Sequence, residues 1–90
     1  MTNILHDEKD CRFYIDKEGA ELLYGIREGV MYIYHVYVPK ELRDHGIAEQ
    51  LADAAFEFAI KNNMKVKPEC SYIKYYLSKH VEMQKYESQN

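Results

Sequence analysis

Three groups of residues in this 90-residue chain carry types and spacings suited to chemistry. The first is Arg43-x-x-Gly46-x-Ala48, between a strand-like run that ends at Val38 and an alanine-rich helical pattern. A helix that starts there leaves its first backbone N–H groups unpaired, with the positive end of the helix dipole behind them. Such an end binds phosphate, and small residues at 46 and 48 let a ligand approach the backbone. The second is Cys70, which follows a short strand and opens a second helical pattern. A helix N-terminus and a nearby protonated His both favour thiolate. The third is His35, inside an apolar strand. Each has a plainer reading: a solvated Arg beside a helix start, a buried structural Cys, a hydrogen-bonded core His.

The elements that position these groups follow from periodicity. Residues 1 to 10 are polar and read as loose. Cys11 to Ile15 reads as a strand, and Asp16-Lys17-Glu18-Gly19 as a turn. In the second strand, Ala20 to Arg27, Leu22, Tyr24 and Ile26 share a face, and Glu28-Gly29 signals a hairpin. Val30 to Val38 is the third strand. Strict alternation puts Tyr32, Tyr34, Val36 and Val38 on one side and Met31, Ile33, His35 and Tyr37 on the other. Both sides are largely apolar, which predicts a central strand covered on both faces.

Gly46 to Asn62 is helical, with Ile47, Leu51, Ala54, Ala55, Phe58 and Ala59 as its buried stripe and Glu49, Asp53, Glu57 and Lys61 wet. Met64 to Lys67 is a fourth strand, stopped by Pro68. Cys70 to His80 is a second helix, with Ile73, Tyr76 and Leu77 inward. Val81, Met83 and Tyr86 are candidate anchors for the polar tail. The first three strands, joined by short turns, are expected to be antiparallel. The fourth reaches the third through a helix and is expected to run parallel to it. Ligands in such units bind past the carboxyl ends of the strands, where Arg43 to Ala48 and Cys70 both fall. The expectation is an α+β fold with a mixed sheet of about four strands and two main helices.

The combined pattern resembles a known family. His35-x-x-Val38-Pro39, then Arg43-x-x-Gly46-x-Ala48, then Pro68-x-Cys70-Ser71-Tyr72 is similar to the small single-domain members of the GNAT superfamily of acetyl-CoA-dependent N-acetyltransferases, those with a His and a Cys in the active site. The resemblance covers roughly residues 12 to 86. It implies a minimal GNAT-like fold and acetyl transfer from acetyl-CoA to an amine acceptor. By this resemblance His35 is the general base and Cys70 an active-site thiol or acyl carrier, on opposite sides of a thioester that enters between the third and fourth strands. Coenzyme A would be bound by Val38, Arg43, Asp44, His45, Gly46, Ile47, Ala48 and Tyr72. His45 and His80 match no role, and Cys11 reads as structural or incidental. A CoA-binding or protein-interaction module with little turnover is the alternative. The chain has almost nothing between its first two strands, where larger GNAT enzymes carry helices that shape the acceptor site.

Composition narrows the field further. One domain spans 1–90, with its core at about 11–86. A formal net charge of −3 argues against a nucleic-acid platform, which usually shows a basic excess. No run is long enough to span a bilayer, and residues 1 to 8 lack the basic start and apolar core of a signal peptide. The expectation is a cytoplasmic protein with free thiols, a monomer or small homo-oligomer. No His or Cys pair has zinc-finger spacing, and there is no CxxC or HExxH, so no metal site is expected.

Overall fold

The computed structural model describes residues 3–16 and 19–89. Five strands form one sheet in sequential order: β1 (Leu5–Asp7), β2 (Arg12–Tyr14), β3 (Glu21–Arg27), β4 (Val30–Tyr37) and β5 (Lys65–Pro68). The first four are antiparallel neighbours, and β5 runs parallel to β4. Helix α1 (Ile47–Lys61) makes the β4–β5 crossover, and α2 (Ser71–Lys79) follows β5. No helix among the described residues is long and apolar enough to cross a membrane.

The expected four strands are thus five. The extra one is Leu5-His6-Asp7, within the stretch expected to be loose. It is short and polar, and it forms because it pairs with β2 and lays His6 on Phe13, ring centroids 3.9 Å apart. The turn expected at 16–19 includes Lys17 and Glu18, which lie outside the described residues. The Glu28-Gly29 hairpin has both residues at positive φ (52° and 77°), as a two-residue turn matched to strand twist requires.

The strict alternation expected along β4 fails at one place. Leu23 pairs with His35 but Tyr24 pairs with Ile33, so Tyr34 is an extra residue in β4, a β-bulge. Through the bulge, Ile33 and Val36 share a face with Leu22 and Tyr24, while His35 turns to the opposite face, with Leu23. The first face carries the core: Phe13, Leu22, Tyr24, Met31, Ile33 and Val66 form one buried cluster with residues of both helices. The second face has no helix on it among the described residues. Its side chains pack on each other, with Arg12 over the Tyr14 ring at 4.0 Å and Arg27 over Tyr32 at 5.0 Å. β4 is therefore an interior strand, beside the edge strand β5, and is covered on one side only.

In α1 the buried set is Ile47, Leu51, Ala52, Ala55, Phe56 and Ala59. Ala54 and Phe58, expected in the core stripe, are only half-buried. The stripe is rotated because α2 covers the other flank of α1. Phe56 stacks on Tyr76 at 5.1 Å, and the Tyr76 hydroxyl donates to Asp53 at 2.6 Å. Ile73, Tyr76 and Leu77 are the buried residues of α2. The exit of α1 is a Schellman motif: Met64 N–H donates to Ala59 and Asn63 N–H to Ile60, with Asn63 left-handed at φ 59°. Beyond α2, a 3-10 segment (Val81–Tyr86) leads to Glu87, which bridges to Val66 in parallel. Met83 and Tyr86 are half-buried there, while Val81 is 70% exposed and anchors nothing.

The His6 ring nitrogen Nε2 is 2.6 Å from the Tyr24 hydroxyl. Burial pushes the His6 pKa below its ordinary 6.5, against the opposing pull of Glu8 and Asp7. The unfolded chain therefore takes a proton on His6 more readily than the fold does. Stability from this group is complete above about pH 6.5 and is lost as pH falls through that value toward the lower folded pKa. Urea unfolding at pH 7, 6 and 5 is expected to show this slope, and His6→Phe to flatten it. An unchanged slope in the variant would remove His6 from the account.

Candidate functional site

The carboxyl end of β4 passes through Val38 and Pro39 into a 3-10 turn at Lys40–Leu42. Arg43 Nε donates to the Val38 carbonyl at 3.0 Å, so this side chain braces the loop it starts. Asp44 and Gly46 are both left-handed, φ 69° and 72°. Gly46 is the N-cap of α1 and has no side chain to cap it. A Cβ at position 46 would meet nothing within 4 Å, so glycine is required there by conformation rather than by crowding. The first intrahelical bond runs from Gln50 N–H to the Gly46 carbonyl at 3.0 Å. The N–H groups of Ile47, Ala48 and Glu49 precede it and face out of the helix end. Asp44 tolerates its conformation better than most side chains would.

A cleft of about 410 Å³ opens at this helix end, between the loop and α2. Val38, Arg43, Asp44, Gly46, Ile47, Ala48 and Tyr72 line it, together with Leu42, Glu49, Tyr75, Tyr76, Lys79 and His80. Of the residues expected to bind cofactor, only His45 does not line it; it is exposed. Burial raises the pKa of the Tyr72 hydroxyl, helped by Glu49, Tyr75 and Asp53. It stays protonated at neutral pH and can donate a hydrogen bond.

Neither His35 nor Cys70 lines this cleft. They stand where β4 and β5 part. The β4–β5 ladder runs from Val30–Lys65 to Ile33–Pro68 and stops, with one further bond from Glu69 N–H to the Ile33 carbonyl at 2.9 Å. β4 continues to Tyr37 against β3 only. Past Ile33 its other edge has no strand partner among the described residues. His35 lies one register step past Ile33, beyond the bulge, and Cys70 two residues past Pro68. Cys70 is the N-cap of α2 rather than in its first turn; its thiol makes no capping bond and is half-buried against the core. The His35 side chain is 44% exposed on the uncovered face, its Nε2 3.7 Å from Glu21, which Arg12 holds at 3.4 Å.

The sequence assigns Glu49, Tyr75, Lys79 and His80 no ligand role, yet all four line the cleft. Tyr72, Tyr75, Tyr76 and Lys79 recur at three- and four-residue steps, the one signal that α2 presents a face to the cleft. His80, four residues past Tyr76, shares that spacing, but its pairing with Glu49, Nε2 at 2.9 Å, is made only by packing α2 on α1.

A mixed sheet whose parallel pair ends beside an uncapped helix start and a cleft defines the class of protein. A family model described as GCN5-related N-acetyl-transferase matches residues 12–86, and the chain belongs to that family. Protein NATD1 of Gallus gallus is 34% identical over 77 residues, covering 80% of this chain and 70% of that protein. Protein NATD1 of Homo sapiens is 32% identical over 77 residues, covering 80% and 68%. The solution structure of a GCN5-like protein from Staphylococcus aureus superposes with a TM-score of 0.79 at 28% identity, covering 97% of this chain and 88% of that one. The small GNAT-like fold expected from the motifs is thereby established, with five strands in place of four.

Proposed function

We propose that the protein transfers an acetyl group from acetyl-CoA to an amine acceptor. The observation that carries this reading is the continuity of three features: the uncapped N–H groups of Ile47 to Glu49, the cleft that includes Arg43 and Tyr72, and the unpaired edge of β4 past Ile33. The pyrophosphate of CoA suits the helix end. The pantetheine arm, which carries amides, suits an unpaired strand edge. Its thioester would then lie past the end of the β4–β5 ladder, flanked by His35 and Cys70.

The amine approaches from the uncovered sheet face. A lysine-like amine with pKa about 10.4 is neutral roughly once in 2,500 molecules at pH 7, so its deprotonation costs about 4.6 kcal/mol. His35 takes that proton, directly or through water, with Glu21 orienting its ring. Cys70 accepts the acetyl group first or places the thioester for direct attack. Exchange of one thioester for another is nearly isoenergetic, so the first route carries no thermodynamic penalty.

A second reading is a CoA-binding module with little turnover. It is favoured by the sheet face bearing His35, on which no helix builds an acceptor pocket. Incubation with labelled acetyl-CoA and a mixture of amines, peptides and polyamines separates the two. Transfer above the buffer rate is expected; tight CoA binding without transfer would favour the module. In calorimetric titration with CoA, Ala48→Val is expected to weaken binding by about tenfold or more, because two added methyl groups obstruct the phosphates at the helix end. Unchanged affinity would mean that the pyrophosphate binds elsewhere.

A further inference from the structure

The cleft at the start of α1 contains a contradiction. Glu49 is in the first turn of α1, and it lines the same cleft as Gly46 and Ala48. A carboxylate there favours the helix dipole, but it repels any phosphate drawn to the same N–H groups. The partner of this carboxylate comes from the far end of α2. His80 Nε2 is 2.9 Å from Glu49 Oε2, and His80 Nδ1 is 3.6 Å from Glu82 Oε2. A protonated ring would offer an N–H to each carboxylate, and a neutral one to Glu49 alone. The ring is fixed in place: it stacks on Tyr76 at 4.1 Å, and the Tyr76 hydroxyl is itself tied to Asp53. The His80 side chain is 23% exposed and that of Glu49 52%, so the pair sits at the cleft wall. Arg43 and Lys79 are the cations lining it, Asp44 the other anion.

We infer that His80 is a positioning residue for the phosphate end of CoA: it holds Glu49 aside and offsets its charge, so that the end of α1 presents net positive potential to the ligand. The inference rests on the proposed CoA-binding function. It assigns a role to a histidine outside the sequence motifs, and it makes the junction of α1 with α2 part of the ligand site.

Calorimetric titration of the full chain with CoA and with pantetheine, which lacks the phosphates, tests it. His80→Gln is expected to weaken CoA by about three- to tenfold, the size of one uncompensated charge at a partly exposed site. Pantetheine affinity is expected to stay within about twofold, and the CoA loss to shrink as salt shortens the reach of the charge. His80→Lys, which keeps the cation, is expected to recover much of the loss. Glu49→Gln alone is expected to tighten CoA, and the double variant to match Glu49→Gln, because His80 has then nothing to offset. Equal loss for CoA and pantetheine would overturn the inference in favour of plain packing. So would a His80→Gln penalty that persists beside Glu49→Gln. A wild-type protein that binds CoA no better than pantetheine would overturn the cleft assignment itself, a result distinct from a failed His80 effect.

Discussion

His35→Ala is expected to lower kcat/KM for acetyl transfer by about 10²- to 10⁴-fold, the usual contribution of a general base, while CoA affinity changes by less than about threefold. The split follows from position. His35 lies past the end of the β4–β5 ladder on the uncovered face, away from the cleft formed by Arg43, Gly46, Ala48 and Tyr72. Its loss removes a proton acceptor for the amine and leaves the phosphate contacts in place. The rate for an acceptor of lower pKa, such as an aromatic amine, is expected to suffer less, because less deprotonation is required of the enzyme. Glu21→Gln is expected to give a smaller loss, since Glu21 touches the His35 ring but not the reacting atoms. Cys70→Ser separates the two routes: abolished transfer together with an acetyl adduct on wild-type Cys70 by intact mass identifies an acyl carrier. Full activity in Cys70→Ser leaves direct attack. Steady-state kinetics with both substrates varied reads all of these, and a His35→Ala enzyme with unchanged kcat/KM would strip His35 of its role.

Phe56→Ala is expected to cost about 3–5 kcal/mol of stability, as deletion of a buried aromatic ring usually does. Phe56 is fully buried and stacks on Tyr76, so its ring joins α1 to α2. Stabilities of natural domains run from about 5 to 15 kcal/mol, and a domain of this size has a modest core. The loss is therefore most of the total, and a fall in Tm of about 12–40 °C is expected at about 4–8 °C per kcal/mol. Tyr76→Phe makes the contrast. It keeps the stacked ring and removes only the hydrogen bond to Asp53, whose side chain water can reach, so a cost near 1 kcal/mol is expected. Because α2 carries Tyr72, Lys79 and His80 to the cleft, Phe56→Ala should weaken CoA even at temperatures where the variant remains folded. Thermal melts followed by circular dichroism measure both variants; a Phe56→Ala loss no larger than that of Tyr76→Phe would contradict the packing described.

The parts of this fold legible in the sequence are those set by local periodicity and turn chemistry. The β3–β4 hairpin, the parallel β5, both helices and the loop from Arg43 to Ala48 are of this kind. β1 was hidden because Leu5-His6-Asp7 has no pattern of its own; its stability comes from pairing and from His6 on Phe13 and Tyr24. The bulge at Tyr34 was hidden because alternation assumes one residue per register step. That single insertion decides which face His35 occupies. The sheet's uncovered side was misjudged because both sides of β4 read as largely apolar, whereas Tyr32 on that side packs under Arg27. The motif residues around the cleft were legible because they are contiguous in the chain. Glu49 and His80 were not, because their meeting depends on how α2 lies against α1.

The central claim is that acetyl-CoA lies with its phosphates at the start of α1 and its arm along the unpaired edge of β4. Amide ¹H–¹⁵N spectra recorded during titration with CoA test it most directly. Shifts are predicted to concentrate at Gly46 to Glu49, at Tyr34 to Val38 and at Cys70 to Tyr72, with β1 and the Glu28–Gly29 turn unmoved. Perturbations confined to the uncovered face of β2 and β3, or no saturable shifts at millimolar CoA, would contradict the account.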